Sequence, residues 1–252
     1  MIKRKTYSFR GGDILDIEEY HDGRYGAPGL KRMKRRKATK EDMLRVNKWN
    51  KEKRCRQRLL QYFKETDLFL TWTYSIEERP PDMQTALKDF RRSIAKVRRA
   101  YRKRGYELFW IRNIEQGTKG AWHIHLIVNE IGDSASIVQK AWDHGGTWIT
   151  EIKRSKFYDE DFMKLACYMT KDKNTTEQKK DGTEGKPRIK ESSYNTSKNM
   201  PLPDPHEDKL RRWKKEVKPK KGYYIVRIWE GINPKTGYKY RRCTMIRLNR
   251  RI

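Results

Sequence analysis

Cysteine is scarce in this chain: three in 252 residues, Cys55, Cys167 and Cys243, far apart and odd in number. None forms a CxxC pair, so neither a disulfide framework nor a zinc knuckle is indicated. Long apolar runs are missing too, and hydrophobic residues make up only 35% of the chain. The core must be compact, with much of the length at the surface or outside it. Neither a membrane span nor a strongly amphipathic basic anchor is expected. The opening MIKRKTYSFRGG lacks the apolar centre of a secretory signal, so a soluble cytoplasmic protein is expected. A GxxxxGK(S/T) loop is absent as well, which leaves no sign of an attached ATPase or helicase.

Acidic residues fall far short of basic ones, 33 against 61, for a formal net charge of +28. Self-repulsion on that scale is tolerated when a polyanion neutralises it. With no membrane element in view, nucleic acid is the better partner.

Composition divides the chain into a basic N-terminal arm (1–38), a helix packing on the core (39–66), a core (67–172), a polar basic loop (173–221) and a C-terminal β-hairpin (222–252). In the arm, Lys31, Arg32, Lys34, Arg35, Arg36 and Lys37 form a run without an acid. It reads either as a solvated tail or as a clamp on a DNA backbone, and the global charge favours the clamp. Thr39 with Asp42 forms a capping box that opens the helix, whose apolar stripe (Met43, Val46, Trp49, Leu59, Leu60, Phe63) is narrow.

Residues 68–74, LFLTWTY, alternate large apolar side chains with threonines and predict a buried strand. Pro80, Pro81 and Asp82 begin a helix in which Met83, Leu87, Phe90, Ile94, Val97 and Tyr101 line one face and Gly105 closes it. Strands follow at 106–114 and 121–129 across a Gly-rich turn, then a short helix capped by Ser134, then a strand at 147–152. The resulting β-α-β-β-α-β order predicts an α+β, ferredoxin-like core with a central antiparallel sheet, helices on one face and the other face free for a site. A further helix begins at Asp159 or Asp161, and a short basic helix is expected over 209–217.

Within GAWHIHLIVNE (120–130), Trp122, Ile124, Leu126 and Val128 face one way while His123 and His125 face the other. Two imidazoles on one sheet face are either surface histidines or a pair of metal ligands. Glu115, near the end of the partner strand, lies within reach of a shared ion. Two imidazoles and a carboxylate suit Mn²⁺, Mg²⁺ or Zn²⁺, with positions left for substrate oxygens, and such an ion would neutralise a phosphodiester. Tyr168 is the candidate nucleophile, with Lys171 one helical turn away to steady negative charge and Lys164 a turn earlier as a DNA contact. An ordinary half-buried helix tyrosine is the alternative for Tyr168.

These residues resemble a replication initiator (Rep) of the HUH endonuclease superfamily, of the phage and plasmid rolling-circle type with one catalytic tyrosine. The resemblance is carried by FLTWTY (69–74), Glu115 with HIH (123–125), WDHG (142–145), YMTK (168–171) and SKNMPLP (197–203). The tyrosine follows the histidines, as in Rep proteins and some transposases, whereas in relaxases it precedes them. The helix carries no second YxxK tyrosine. The resemblance implies a five-stranded sheet and a divalent ion, Mn²⁺ or Mg²⁺, on His123, His125 and Glu115. It also implies attack by Tyr168 on single-stranded origin DNA, leaving a 5′-phosphotyrosine and a free 3′-OH, inside a bacterial host cell whose helicase and polymerase are possible partners. A single-tyrosine transposase and a non-catalytic nucleic-acid binder are the rival readings.

Overall fold

The computed structural model describes residues 2–22, 39–117, 120–171, 194–233 and 237–248, and the backbone of two short strands at 176–178 and 184–187. The basic run at 31–37 and most of the polar loop at 174–185 lie outside the described residues. The described chain is α+β, with two antiparallel five-stranded sheets and four α-helices. It divides into two compact units, Met1–Trp49 with Leu202–Ile252, and Asn50–Pro201.

The start of the chain is not an irregular arm. Strands β1 (Ile2–Phe9) and β2 (Ile14–His21) form a hairpin in full register from Ile2↔His21 to Phe9↔Ile14. Helix α1 (Lys40–Tyr62) follows, opened by reciprocal bonds in which the Asp42 N–H donates to Thr39 Oγ1 and the Thr39 N–H to Asp42 Oδ2. The expected apolar stripe holds only in its second half: Leu59, Leu60 and Phe63 are fully buried, whereas Met43, Val46 and Trp49 are exposed.

The second unit is built from β3 (Leu68–Thr73), α2 (Met83–Lys103), β4 (Trp110–Gln116), β5 (Trp122–Val128), α3 (Ser134–Ala141), β6 (Thr147–Glu151), α4 (Met163–Thr170) and β9 (Tyr194–Thr196). Between the last two, the backbones of β7 (Thr176–Gln178) and β8 (Glu184–Pro187) pair with each other. The main sheet runs β6-β3-β5-β4-β9. Alternation decides which side chains enter its core. Leu70 and Trp72 on β3 and Ile124 and Leu126 on β5 join the α2 stripe and Ile137 and Val138 of α3 in one buried cluster. α2 starts where expected, its first turn held by the Thr85 N–H donating to Asp82 Oδ1.

Two boundaries differ from the sequence expectation. β4 begins at Trp110 rather than at 106, because the Tyr106 N–H caps α2 by donating to Tyr101 O and the Phe109 N–H donates to the Asn129 side chain. The entry to α3 is held by Glu130, whose Oε1 accepts from the N–H groups of Ile131, Gly132 and Ser134. Ser134 instead accepts from Tyr101 Oη at 2.7 Å.

WDHG at 142–145 is a closure of this unit. Trp142 stacks on Trp72 at 4.9 Å, and the backbone beyond it returns to β3, with the Ser75 N–H donating to His144 O and the Thr73 N–H to Gly146 O. Gly145, at φ +152°, passes so near that a Cβ there would lie 2.5 Å from Ser75 N and from Thr73 O. Only glycine fits such an approach.

In the first unit the chain returns as β10 (His206–Leu210), β11 (Tyr223–Ile232) and β12 (Lys239–Arg247), giving the order β10-β1-β2-β12-β11. No helix forms over 209–217: residues 206–210 are the β1 partner strand instead. Two acids on β2 are buried beneath the basic β12. Asp16 takes Arg242 bidentately at 2.6 to 3.2 Å and also accepts from Thr244, while Glu19 bridges Arg4 and Arg241. No described helix is long and apolar enough to cross a membrane.

Candidate active site

The site lies on the sheet face of the second unit opposite the α2–α3 core. Register sets a row across it, with Trp148 (β6), Thr71 (β3), His125 (β5) and Asn113 (β4) as successive Cα partners. Two residues along, Thr73, His123 and Glu115 form the next row. α4 packs against β4, with Leu165, Ala166 and Met169 buried and Tyr168 turned onto these rows.

Four of the expected residues meet there. Tyr168 Oη lies 3.0 Å from His125 Nε2, which is also 2.7 Å from Glu115 Oε1. Lys171 Nζ sits 2.7 Å from Glu115 Oε2 and 4.0 Å from the centroid of the Tyr168 ring. His123 does not join them. Its ring lies against Gly117, where a Cβ would come within 3.2 Å of Nε2, and among the described residues no three His, Cys, Asp or Glu side chains converge as a cation cage. Lys164 is exposed on α4, its backbone N–H held by the Asp159 carboxylate.

Three supporting residues have no marker of their own in the sequence. Thr71 Oγ1 is 2.9 Å from His125 Nδ1 and fixes the ring from behind. Phe157 stacks on Tyr168 at 3.6 Å and 20°. Phe69, almost fully buried, touches Tyr168, Phe157, His125 and Trp148 with ring centroids 5.9 to 6.3 Å away. The phenol is thus held between an aromatic face and an ammonium. Only the alternation of LFLTWT, which places Phe69 and Thr71 on the histidine face, could have signalled two of these residues.

The charges are interlocked. Burial pushes the Glu115 carboxyl up, but hydrogen bonds from His125 and Lys171 outweigh it and bring the group down to about 2. Glu115 is therefore an anion at neutral pH, and its short contact with Nε2 requires that nitrogen to present a hydrogen. Burial raises the Tyr168 phenol well above its ordinary value, and the Glu115 charge adds to that. Burial, followed by repulsion from His125, lowers His123 and keeps its imidazole neutral. These side chains by themselves oppose formation of the phenolate.

The donor set fits a divalent cation in part. A cation can take the place of the Nε2 hydrogen between Glu115 and His125, a carboxylate and an imidazole being ordinary ligands for it. His123 is neutral, as ligation demands, but is not aimed at that point.

Other candidates are engaged elsewhere. Tyr158 donates to Glu65 Oε2 at 2.9 Å. Tyr194 is largely buried beside Cys55, and its phenol is raised by that burial. His144 pairs with Glu78 at 3.0 Å and packs on Trp142. A cavity of about 590 Å³ in the first unit, lined by Arg4, Glu19, Lys218 and Arg241 among others, contains none of the residues above.

No curated protein and no solved structure matches the chain. Residues 67–173, less than half of the chain but the part that carries every side chain of the Tyr168 cluster, match the model of the replication-associated protein family of the ORF2 type, which supports a role in the initiation of DNA replication.

Proposed function

We propose that the chain is a nicking and joining endonuclease that initiates rolling-circle replication, with Tyr168 as its nucleophile. The observation that carries this reading is the convergence of Tyr168, His125, Glu115 and Lys171 on one sheet face. The strand order β6-β3-β5-β4 with α2 and α3 on the opposite face is what a ferredoxin-like HUH core requires, and supports the reading. So do the family match over 67–173 and the net charge of +28.

Tyr168 Oη forms a bond to the phosphorus of single-stranded origin DNA as the bond from phosphorus to the 3′ oxygen breaks. The phenolic proton is lost and the departing oxygen takes one up, leaving a 5′-phosphotyrosine and a free 3′-OH. Phe157, Phe69 and the Lys171 ammonium hold the phenol ring in position for this attack. Lys171 also places a positive charge where negative charge develops on the phenol and the phosphoryl oxygens. Thr71 keeps the His125 ring turned so that Nε2 faces the site. Glu115 and His125, with His123 as the further ligand on the same face, would hold a divalent cation such as Mn²⁺ or Mg²⁺. Bound there, it neutralises phosphodiester charge and removes the opposition of Glu115 to phenolate formation.

Lys164 on α4 and the run Lys31, Arg32, Lys34, Arg35, Arg36 and Lys37 are assigned to the DNA backbone. The free 3′-OH is the primer a host polymerase extends, on a template that a host helicase opens. A labelled single strand bearing the origin, incubated with the full chain and Mn²⁺, is expected to become covalently attached to the protein. Equal attachment by Tyr168→Phe would remove the assignment.

A further inference from the structure

Trp148 is the most exposed of the eight tryptophans, at 55%, whereas Trp72, Trp110, Trp122 and Trp142 of the same unit are all at 7% or less. The unit has room for large indoles in its core, and this one stands outside it. Trp148 sits on β6, an outer strand of the sheet, as the Cα partner of Thr71, so it projects from the face that carries His125. Its ring meets the edge of Phe69 at 6.1 Å, and Phe69 in turn meets the edge of Tyr168 at 5.9 Å. The indole is therefore one aromatic contact removed from the phenol. Lys156, exposed, lies 5.2 Å from the ring of Phe157, which stacks on Tyr168.

We propose that Trp148 is a stacking platform for a nucleobase of single-stranded DNA, one or two nucleotides from the phosphate that Tyr168 attacks. This rests on the reading of the site as a nuclease for single strands. The chemistry needed is a flat, solvent-open aromatic face next to a cation-bearing path, since an unpaired base offers a π-face whatever its identity while its phosphate seeks positive charge. Trp148 supplies the face, Phe69 fixes the indole from below, and Lys156 lies on the side where the backbone passes. A duplex keeps its bases stacked on each other and cannot use the platform, so the site discriminates in favour of single strands without reading sequence.

The test uses the full-length chain carrying Tyr168→Phe, so that binding is read without cleavage. Fluorescein-labelled oligothymidylate and an abasic oligomer of the same length are titrated by anisotropy. Trp148→Ala is expected to weaken oligothymidylate binding by about 5- to 30-fold and to leave the abasic oligomer unchanged. Trp148→Phe should restore most of the difference. Equal affinity of Trp148→Ala and parent for oligothymidylate would overturn the platform and mark the indole as a contact for another protein. Equal weakening for both oligomers would overturn it in favour of an effect through the fold. Attachment of DNA to the Tyr168 parent is scored separately, so failure of the platform and failure of the nuclease reading give different results.

Discussion

Acid should weaken the Tyr168 unit through one carboxylate, and Glu115→Gln isolates it. The Glu115 carboxyl is brought from an ordinary 4.5 to about 2, against the effect of its own burial, by hydrogen bonds from His125 and Lys171. A carboxyl lowered in the folded state stabilises the fold above its unfolded value and loses that contribution as pH falls through the folded value. The window therefore opens near pH 4.5 and closes near pH 2. At about 1.4 kcal/mol per pH unit, the full contribution at neutral pH is roughly 3 kcal/mol, an upper figure because the side chain keeps some water contact. Roughly 2 kcal/mol of it is gone by pH 3. Glutamine keeps the shape and an acceptor for both donors but has no charge to lose. Urea unfolding of parent and Glu115→Gln in EDTA, followed by tryptophan fluorescence between pH 7 and pH 3, should show the stability difference shrinking as acid is added. A difference that stays constant over that range would refute the assigned interlock.

Thr71→Val leaves His125 Nδ1 facing a methyl group, and loss of such a support costs about 10- to 100-fold in metal affinity. Mn²⁺ titration followed by electron paramagnetic resonance should show that loss in Thr71→Val and recovery in Thr71→Ser. Gly145→Ala drives a Cβ to 2.5 Å from the backbone of Thr73 and Ser75, so thermal melting should show destabilisation of about 1 to 3 kcal/mol. Asp16→Ala strands the buried Arg242 guanidinium and should cost about 3 kcal/mol in urea unfolding.

The second unit was legible where a local pattern decides the outcome. The α2 stripe and the period-two alternation of β5 each bury one face, and the same alternation put His123 and His125 on the other. Local pattern did not reveal that the His123 ring would settle against Gly117, since that depends on the path of the turn and not on strand parity. Phe69, Thr71 and Phe157 act on the site through neighbours distant in sequence, so nothing adjacent to them marked the role. The first unit was misread for a related reason. β2 finds its partner β12 more than 200 residues later, and the acids that neutralise Arg241 and Arg242 lie on β2. Read locally, 1–38 is a basic arm; paired, its first 21 residues supply two strands of a sheet with a buried ionic layer.

The identity of the nucleophile is tested most directly by locating the attachment. After incubation with origin single strand and Mn²⁺, the protein is treated with nuclease, digested, and its peptides are analysed by mass spectrometry. The account predicts a nucleotide on the peptide containing Tyr168, and on no other tyrosine. Attachment at Tyr158 or Tyr194, or an adduct that survives Tyr168→Phe, would contradict it.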